Sequence, residues 1–177
     1  SIIRSQIPEG GVYVDATMGN GHDTLFLCEM AGENGSVWAF DIQDQALEST
    51  GNLLFRNGYD KNIHLIKDGH ENMDRYLQEQ TAAHVICFNF GYLPGGDHSI
   101  ATHARTSVTA IEKGLTILKS GGMMSLCIYS GGDTGFEEKD HILQYIKELP
   151  SAMYTVIVNE YYNRRNHPPL PVFIFKK

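Results

Sequence analysis

Short apolar runs alternate with longer stretches of helical period along most of the chain. That alternation predicts an α/β fold, a mostly parallel sheet covered by helices on both faces. Strands are expected at Val12 to Ala16, Ser36 to Asp41, Ile63 to Lys67, His84 to Asn89, Met123 to Tyr129, Tyr154 to Tyr161 and Pro171 to Phe175. Between the first five lie helical stretches at His22 to Ala31, Gln43 to Asn57, Glu71 to Gln80 and Thr102 to Lys119. In the fourth, Val108, Ile111, Leu115 and Leu118 recur at spacings of three and four, so this face belongs in the core, and Gly121-Gly122 is expected to end the helix. Asp133 or Thr134 is placed to cap a fifth helix, with Ile142, Leu143, Ile146 and Leu149 on one side and Pro150 as its stop. After Pro150 two strands follow with only the polar, proline-rich NRRNHPPLP between them, which reads as a loop. Seven strands are therefore expected, the last two as an antiparallel pair at the sheet edge.

With 177 residues and 42% hydrophobic content, the chain has the size and apolar content of a single domain spanning 1–177. No run approaches eighteen consecutive apolar residues, and SIIRSQIPEGG lacks the charged start and apolar stretch of a signal peptide, so a soluble, cytoplasmic protein is expected. Cys28, Cys87 and Cys127 are odd in number and sit in apolar runs, which suits reduced core thiols better than disulfides or zinc. None of the eight histidines has recognisable metal-ligand spacing. A net charge of -7 argues against a surface that grips nucleic acid everywhere. The most compact basic candidate is Asn163-Arg164-Arg165-Asn166-His167, near a C-terminus that closes with Lys176 and Lys177.

The strand GVYVDA runs straight into TMGNGHDT and then a helix, placing Gly19 and Gly21 in a turn at the carboxyl end of the first strand. Open α/β sheets bind ligands there. Glycine suits such a turn because a Cβ would block a ligand from the backbone and because positive φ is accessible. About twenty residues on, the second strand ends in Asp41, a carboxylate placed to accept hydrogen bonds from ribose hydroxyls. These two features fit a nicotinamide or flavin enzyme as well as an S-adenosylmethionine enzyme. Dinucleotide folds continue to a third small residue, and here that position is Thr24. Asp15 and Asp23 bracket the loop with negative charge, which repels a pyrophosphate and suits a ligand carrying an ammonium and a sulfonium. The charge therefore favours S-adenosylmethionine.

VDATMGNGHDT, followed by FDIQ, KDGHENM and NFGYLPGGD, resembles the family of small bacterial methyltransferases labelled putative rRNA methylases. The resemblance covers essentially the whole chain, including the NxxPP segment near the end. It implies a Rossmann-like class I methyltransferase fold, and its characterised members methylate the aminomethyl group of 5-aminomethyl-2-thiouridine at the tRNA wobble position. Members often form homodimers. The family usually has a further helix before the first strand, which SIIRSQIPEG is too short to supply, so part of a substrate-facing wall is expected to be missing.

By that resemblance, Asn20, His22 and Asp23 line the methionine end of the cofactor, while Asp41 and Gln43 hold the ribose side. Gln43 reads equally well as an exposed first-turn helix residue. Asp68, Gly69 and His70 end the third strand, where related folds place adenine contacts. His70 also reads as a helix-capping loop residue. Asn89-Phe90-Gly91-Tyr92 resembles the NPPY-type motif of methyltransferases acting on exocyclic amines, with Phe90 and Gly91 in place of the prolines. An amine must aim its lone pair along the methyl–sulfur bond, so acceptors near Asn89 fix its protons while Tyr92 packs against the base or the cofactor. The plainer alternative is a strand-ending turn with an aromatic plug.

An alkyl amine is mostly protonated near neutral pH, so a base or desolvation must favour its neutral form. Asp97, His98 and His167 are candidates for the base. Arg164 and Arg165, with Tyr161 or Tyr162 for stacking, are placed to bind phosphates of a tRNA anticodon stem-loop, although a solvated hairpin turn is the ordinary reading of such a loop. Carbon methylation would need an accessible nucleophilic cysteine, which the apolar settings of the three cysteines disfavour. Still open at this stage are an rRNA or small-molecule amine acceptor, a nucleotide-cofactor oxidoreductase and a noncatalytic binding domain.

Overall fold

The computed structural model describes residues 10–77, 82–90, 104–129, 135–164 and 168–177. Strands β1 (Val12–Asp15), β2 (Ser36–Asp41), β3 (Ile63–Lys67), β4 (Ala83–Phe90), β5 (Leu118–Ile128), β6 (Tyr154–Val158) and β7 (Leu170–Lys176) form one sheet in the order β3-β2-β1-β4-β5-β7-β6. The first five are parallel. β7 runs antiparallel to both β5 and β6, so the expected final pair is present and β6 closes the edge, pointing the same way as β5.

Helices α1 (His22–Ala31) and α2 (Asp44–Arg56) cover one face, and α3 (Ala104–Ile117) and α4 (Gly135–Lys147) cover the other. β4 is buried on both sides, which is why it reads as a near-continuous apolar run. Ile86 and Phe88 join Met124, Leu126, Ile111, Leu115, Ile142 and Ile146 in the larger core. Val85 and Cys87 face Tyr13, Leu27, Cys28 and Leu54 in the smaller.

Several boundaries differ from the sequence reading. In place of the helix expected at Glu71 to Gln80 there is a 3-10 helix, His70–Arg75, with Gln78 to Gln80 outside the described residues. α3 stops at Ile117, and Leu118 already pairs with Ala83 of β4, so Gly121-Gly122 does not end the helix. These glycines fall where the β4–β5 register shifts, and Gly121 takes φ +79°. Lys176 Nζ donates to the Leu115 and Leu118 carbonyls, occupying acceptors at the end of α3. β6 ends at Val158 rather than Tyr161. The proposed caps Asp133 and Thr134 lie outside the described residues.

Strand order places β1 between β2 and β4, so the chain leaves β1 in one direction through β2 and β3 and returns on the other side at β4. β1 and β4 thus sit side by side where the strand order reverses and the path of the chain diverges, the usual ligand position in such sheets.

Candidate active site

The glycine loop follows from this divergence. Beyond β1, the Met18 N–H donates to the Phe40 carbonyl (2.9 Å) and the Gly21 N–H donates back to the Met18 carbonyl (2.9 Å), closing a tight turn into α1. Gly19 and Gly21 both have positive φ, +52° and +82°. Their surroundings differ. A Cβ on Gly19 would meet only the Thr17 carbonyl oxygen at 3.9 Å, so that side of the loop is open. A Cβ on Gly21 would lie 2.6 Å from Thr50 Oγ1 of α2. Gly19 thus leaves room for a ligand, whereas Gly21 lets α2 pack against the loop. Asn20, His22 and Asp23 are exposed around its mouth.

Asp41 ties this loop to β2. One carboxylate oxygen accepts the Gly19 N–H and the other the Gln43 N–H, each at 3.0 Å. A carboxylate offers about four lone-pair sites, so it retains acceptor capacity for hydroxyls. Gln43 is the N-cap residue of α2 without a side-chain cap bond.

Asp68 spends its carboxylate on its own turn, accepting from the Gly69 N–H, Asn72 Nδ2 and the Tyr76 hydroxyl. Those bonds, with Asn72 first, hold its pKa below the ordinary value despite some burial. His70 turns inward and lies edge-on to Phe88 and Phe90, both with ring centroids at 5.8 Å. Burial lowers its pKa, opposed by Glu71 and by a hydrogen bond to the Ala16 backbone. Its ring therefore packs against β4 as part of the core, and Gly69, not His70, is the N-cap of the 3-10 helix.

Asn89 reaches the site from β4. Its side-chain Nδ2 donates to Asp23 Oδ2 (2.8 Å), and its backbone N–H donates to Thr17 Oγ1 (2.7 Å). Thr17 is held in turn, because its own N–H donates to Asp15 Oδ1 (3.1 Å), while Thr24 Oγ1 donates to Asp15 Oδ2 (2.6 Å). Asp15 is fully buried, and desolvation, opposed by Thr24 and aided by Asp23, pushes its pKa from 3.8 to about 7. Sequence reasoning missed Thr17 and saw Thr24 only as an absent glycine. A hydroxyl two residues beyond a strand-ending Asp was the available signal.

Asp23 and Asn89 line a pocket of about 210 Å³ with Phe26, Cys87, Phe88, Ser125 and Cys127. Burial raises the pKa of all three thiols, Cys28 to about 12 and Cys87 well above its ordinary value, so they stay protonated; Cys28 and Cys87 are buried as expected, and Cys127 is partly exposed. Tyr129, beyond β5, is pushed up to about 12 by burial and then by Cys127, Asp23 and Tyr161. β6 runs the same way as β5, so the β6–β7 connection leaves from this same edge of the sheet. There Arg164 stacks its guanidinium over the Tyr161 ring at 4.5 Å, and Tyr162 is fully exposed. Tyr92, Asp97, His98, Arg165 and His167 lie outside the described residues. Among the described residues no cluster of His, Cys, Asp and Glu suits a metal ion, and no helix is long and apolar enough to cross a membrane.

A family model described as "Putative rRNA methylase" matches residues 37–175. The chain is 43% identical to a putative rRNA-methylase from Clostridium thermocellum whose crystal structure superposes with a TM-score of 0.95, covering 99% of this chain and 94% of that one. It is 38% identical to a putative methyltransferase from Streptococcus mutans crystallised with SAH, with a TM-score of 0.88 over 99% of this chain and 93% of that one. A third relative, 36% identical over 179 residues and 97% of this chain, is the chloroplastic tRNA (mnm(5)s(2)U34)-methyltransferase of Arabidopsis thaliana. This chain spans 65% of that relative's length. The sheet described above is the seven-stranded class I methyltransferase sheet.

Proposed function

The chain belongs to the putative rRNA methylase family, and from that premise we propose that it transfers a methyl group from S-adenosylmethionine to the aminomethyl nitrogen of a 5-aminomethyl-uridine at the tRNA wobble position. The observation that carries this reading is the Asn89–Asp23 hydrogen bond, which joins the amine-binding end of β4 to the acidic mouth of the glycine loop. The S. mutans relative was crystallised with SAH, and the plant relative is named for a modified uridine at position 34.

The residues present fit this cofactor. Gly19 leaves one side of the loop open, and Asp41 keeps acceptor capacity for ribose hydroxyls. The carboxylate of Asp23 and the polar side chains of Asn20 and His22 surround the mouth, where they would hold the methionine ammonium and sulfonium. Gln43, Asp68, Gly69 and His70 close the adenosine side. When bound, S-adenosylmethionine supplies an electrophilic methyl group on a positively charged sulfur.

The protein's own part is orientation. Asn89 accepts a hydrogen bond from the amine and aims its lone pair along the line of transfer, with Tyr92 as the residue to pack against the base or the cofactor. Removal of the amine proton falls to Asp97, His98 or His167. Tyr162 and Arg164 at the same edge, together with Arg165 of the same segment, would bind the anticodon stem-loop by stacking and by phosphate contacts.

Incubation with labelled S-adenosylmethionine and tRNA from a strain lacking this gene, followed by nucleoside mass spectrometry, tests the reading. A methylated aminomethyluridine is the expected product. Label appearing only in rRNA, or only on small amines, would refute the tRNA assignment.

A further inference from the structure

Where β1 ends, its hydrogen-bond ladder with β4 continues by one backbone rung, the Ala16 N–H to the Cys87 carbonyl (2.8 Å). The next rung cannot be built from the backbone, because the chain turns away into the glycine loop. Thr17 supplies it with a side chain. Its hydroxyl oxygen stands in for a carbonyl and accepts the Asn89 N–H at 2.7 Å. Thr17 is fixed by the Asp15 carboxylate, and Asp15 is pinned to α1 through Thr24. The far end of Asn89 is held too. A carboxylate can only accept, so the amide group facing Asp23 is the NH₂, and Oδ1 is the end left to accept a hydrogen bond from an amine.

We infer that Thr17 is a positioning residue: its hydroxyl sets the backbone of Asn89 while Asp23 sets its amide, so that Asn89 Oδ1 is presented to the acceptor amine. This rests on the reading of Asn89 as the residue that holds the amine. Valine at position 17 keeps the shape of threonine and removes the acceptor, and serine keeps the acceptor and removes a methyl group.

Turnover on the tRNA above is compared for wild type, Thr17→Val and Thr17→Ser, alongside calorimetric affinity for S-adenosylmethionine and amide hydrogen exchange at Asn89. Thr17→Val is expected to lower kcat by about ten- to a hundred-fold, since a small misplacement of an orienting group has that effect. Its cofactor affinity should stay within about two-fold of wild type, because the loop backbone is untouched, and Asn89 exchange should quicken by at least about ten-fold. Thr17→Ser should recover most of kcat and of the exchange protection. Unchanged kcat in Thr17→Val, a loss of cofactor affinity that matches the loss of kcat, or a serine variant as slow as valine would each overturn the inference. If the wild type itself fails to methylate the tRNA, the acceptor assignment falls. The brace is then judged by Asn89 exchange alone, and equal exchange in wild type and Thr17→Val refutes it.

Discussion

Asp15 sits at the carboxyl end of β1, wholly buried, with one oxygen on the Thr17 N–H and the other on the Thr24 hydroxyl. Two hydrogen bonds stabilise its ionised form, yet burial prevails and its pKa stands near 7 against an ordinary 3.8. A tenfold change in an equilibrium is worth about 1.4 kcal/mol, so keeping this carboxylate ionised at high pH costs roughly 4 kcal/mol. The folded protein holds a proton that the unfolded chain releases, so this contribution to stability is complete below about pH 4 and is lost as pH rises through about 7. Asp15→Asn removes the titration. Its Tm minus that of wild type should therefore climb between about pH 4 and 7 in thermal melts. A flat difference curve would contradict the burial argument. Titratable groups remote from Asp15 are common to both proteins and cancel in the difference.

At the scale of an element, the glycine loop separates two roles that the motif merges. Gly19→Ala places its methyl group in open space, so it should cost only about 1 kcal/mol of stability for the left-handed backbone, while weakening S-adenosylmethionine binding. Gly21→Ala meets both the same backbone penalty and Thr50, and should lower Tm the more of the two. Calorimetry and thermal melts on both variants check this contrast. Equal Tm losses would show that Thr50 does not constrain the loop. The 3-10 helix at His70–Arg75 has a related origin. His70 and Met73, three apart, are both buried, and the Asp68 carboxylate gathers Asn72 and Tyr76, so tertiary packing and a local polar staple override the longer helix expected from pattern.

For the whole molecule, the proposed tRNA substrate has to be met by a chain of net charge -7. β6 runs parallel to β5, so the connection after it emerges at the edge that carries the glycine loop, with Tyr161 and Arg164 already stacked. Lys176 and Lys177 belong to the opposite edge because β7 is antiparallel, and they are occupied with the Leu115, Leu118 and Ser151 carbonyls. The basic patch considered from sequence is therefore smaller than it looks, and Arg164 with Arg165 is what the proposed tRNA reading has left for local phosphate contact. Replacing both with Ala should weaken tRNA binding by about tenfold or more and reduce its salt dependence by about two charges, with cofactor affinity unchanged. Filter binding across a salt series measures both, and an unaltered slope would remove the loop from the interface.

Periodicity and turn chemistry are local, and they were enough to specify seven strands, the glycine turn, Asp41 at the end of β2 and Asn89 at the end of β4, because each depends on neighbours within a few residues. What needed tertiary structure were the contacts between distant segments: Thr50 against Gly21, Thr17 under Asn89, Asp23 on its amide, and the inward turn of His70. These pairs are separated by 18 residues, from His70 to Phe88, up to 72, from Thr17 to Asn89. No sequence pattern of helical or strand period extends so far. They are decided by strand order, which sets β4 beside β1 and brings the glycine loop and Asn89 together at one end of the sheet.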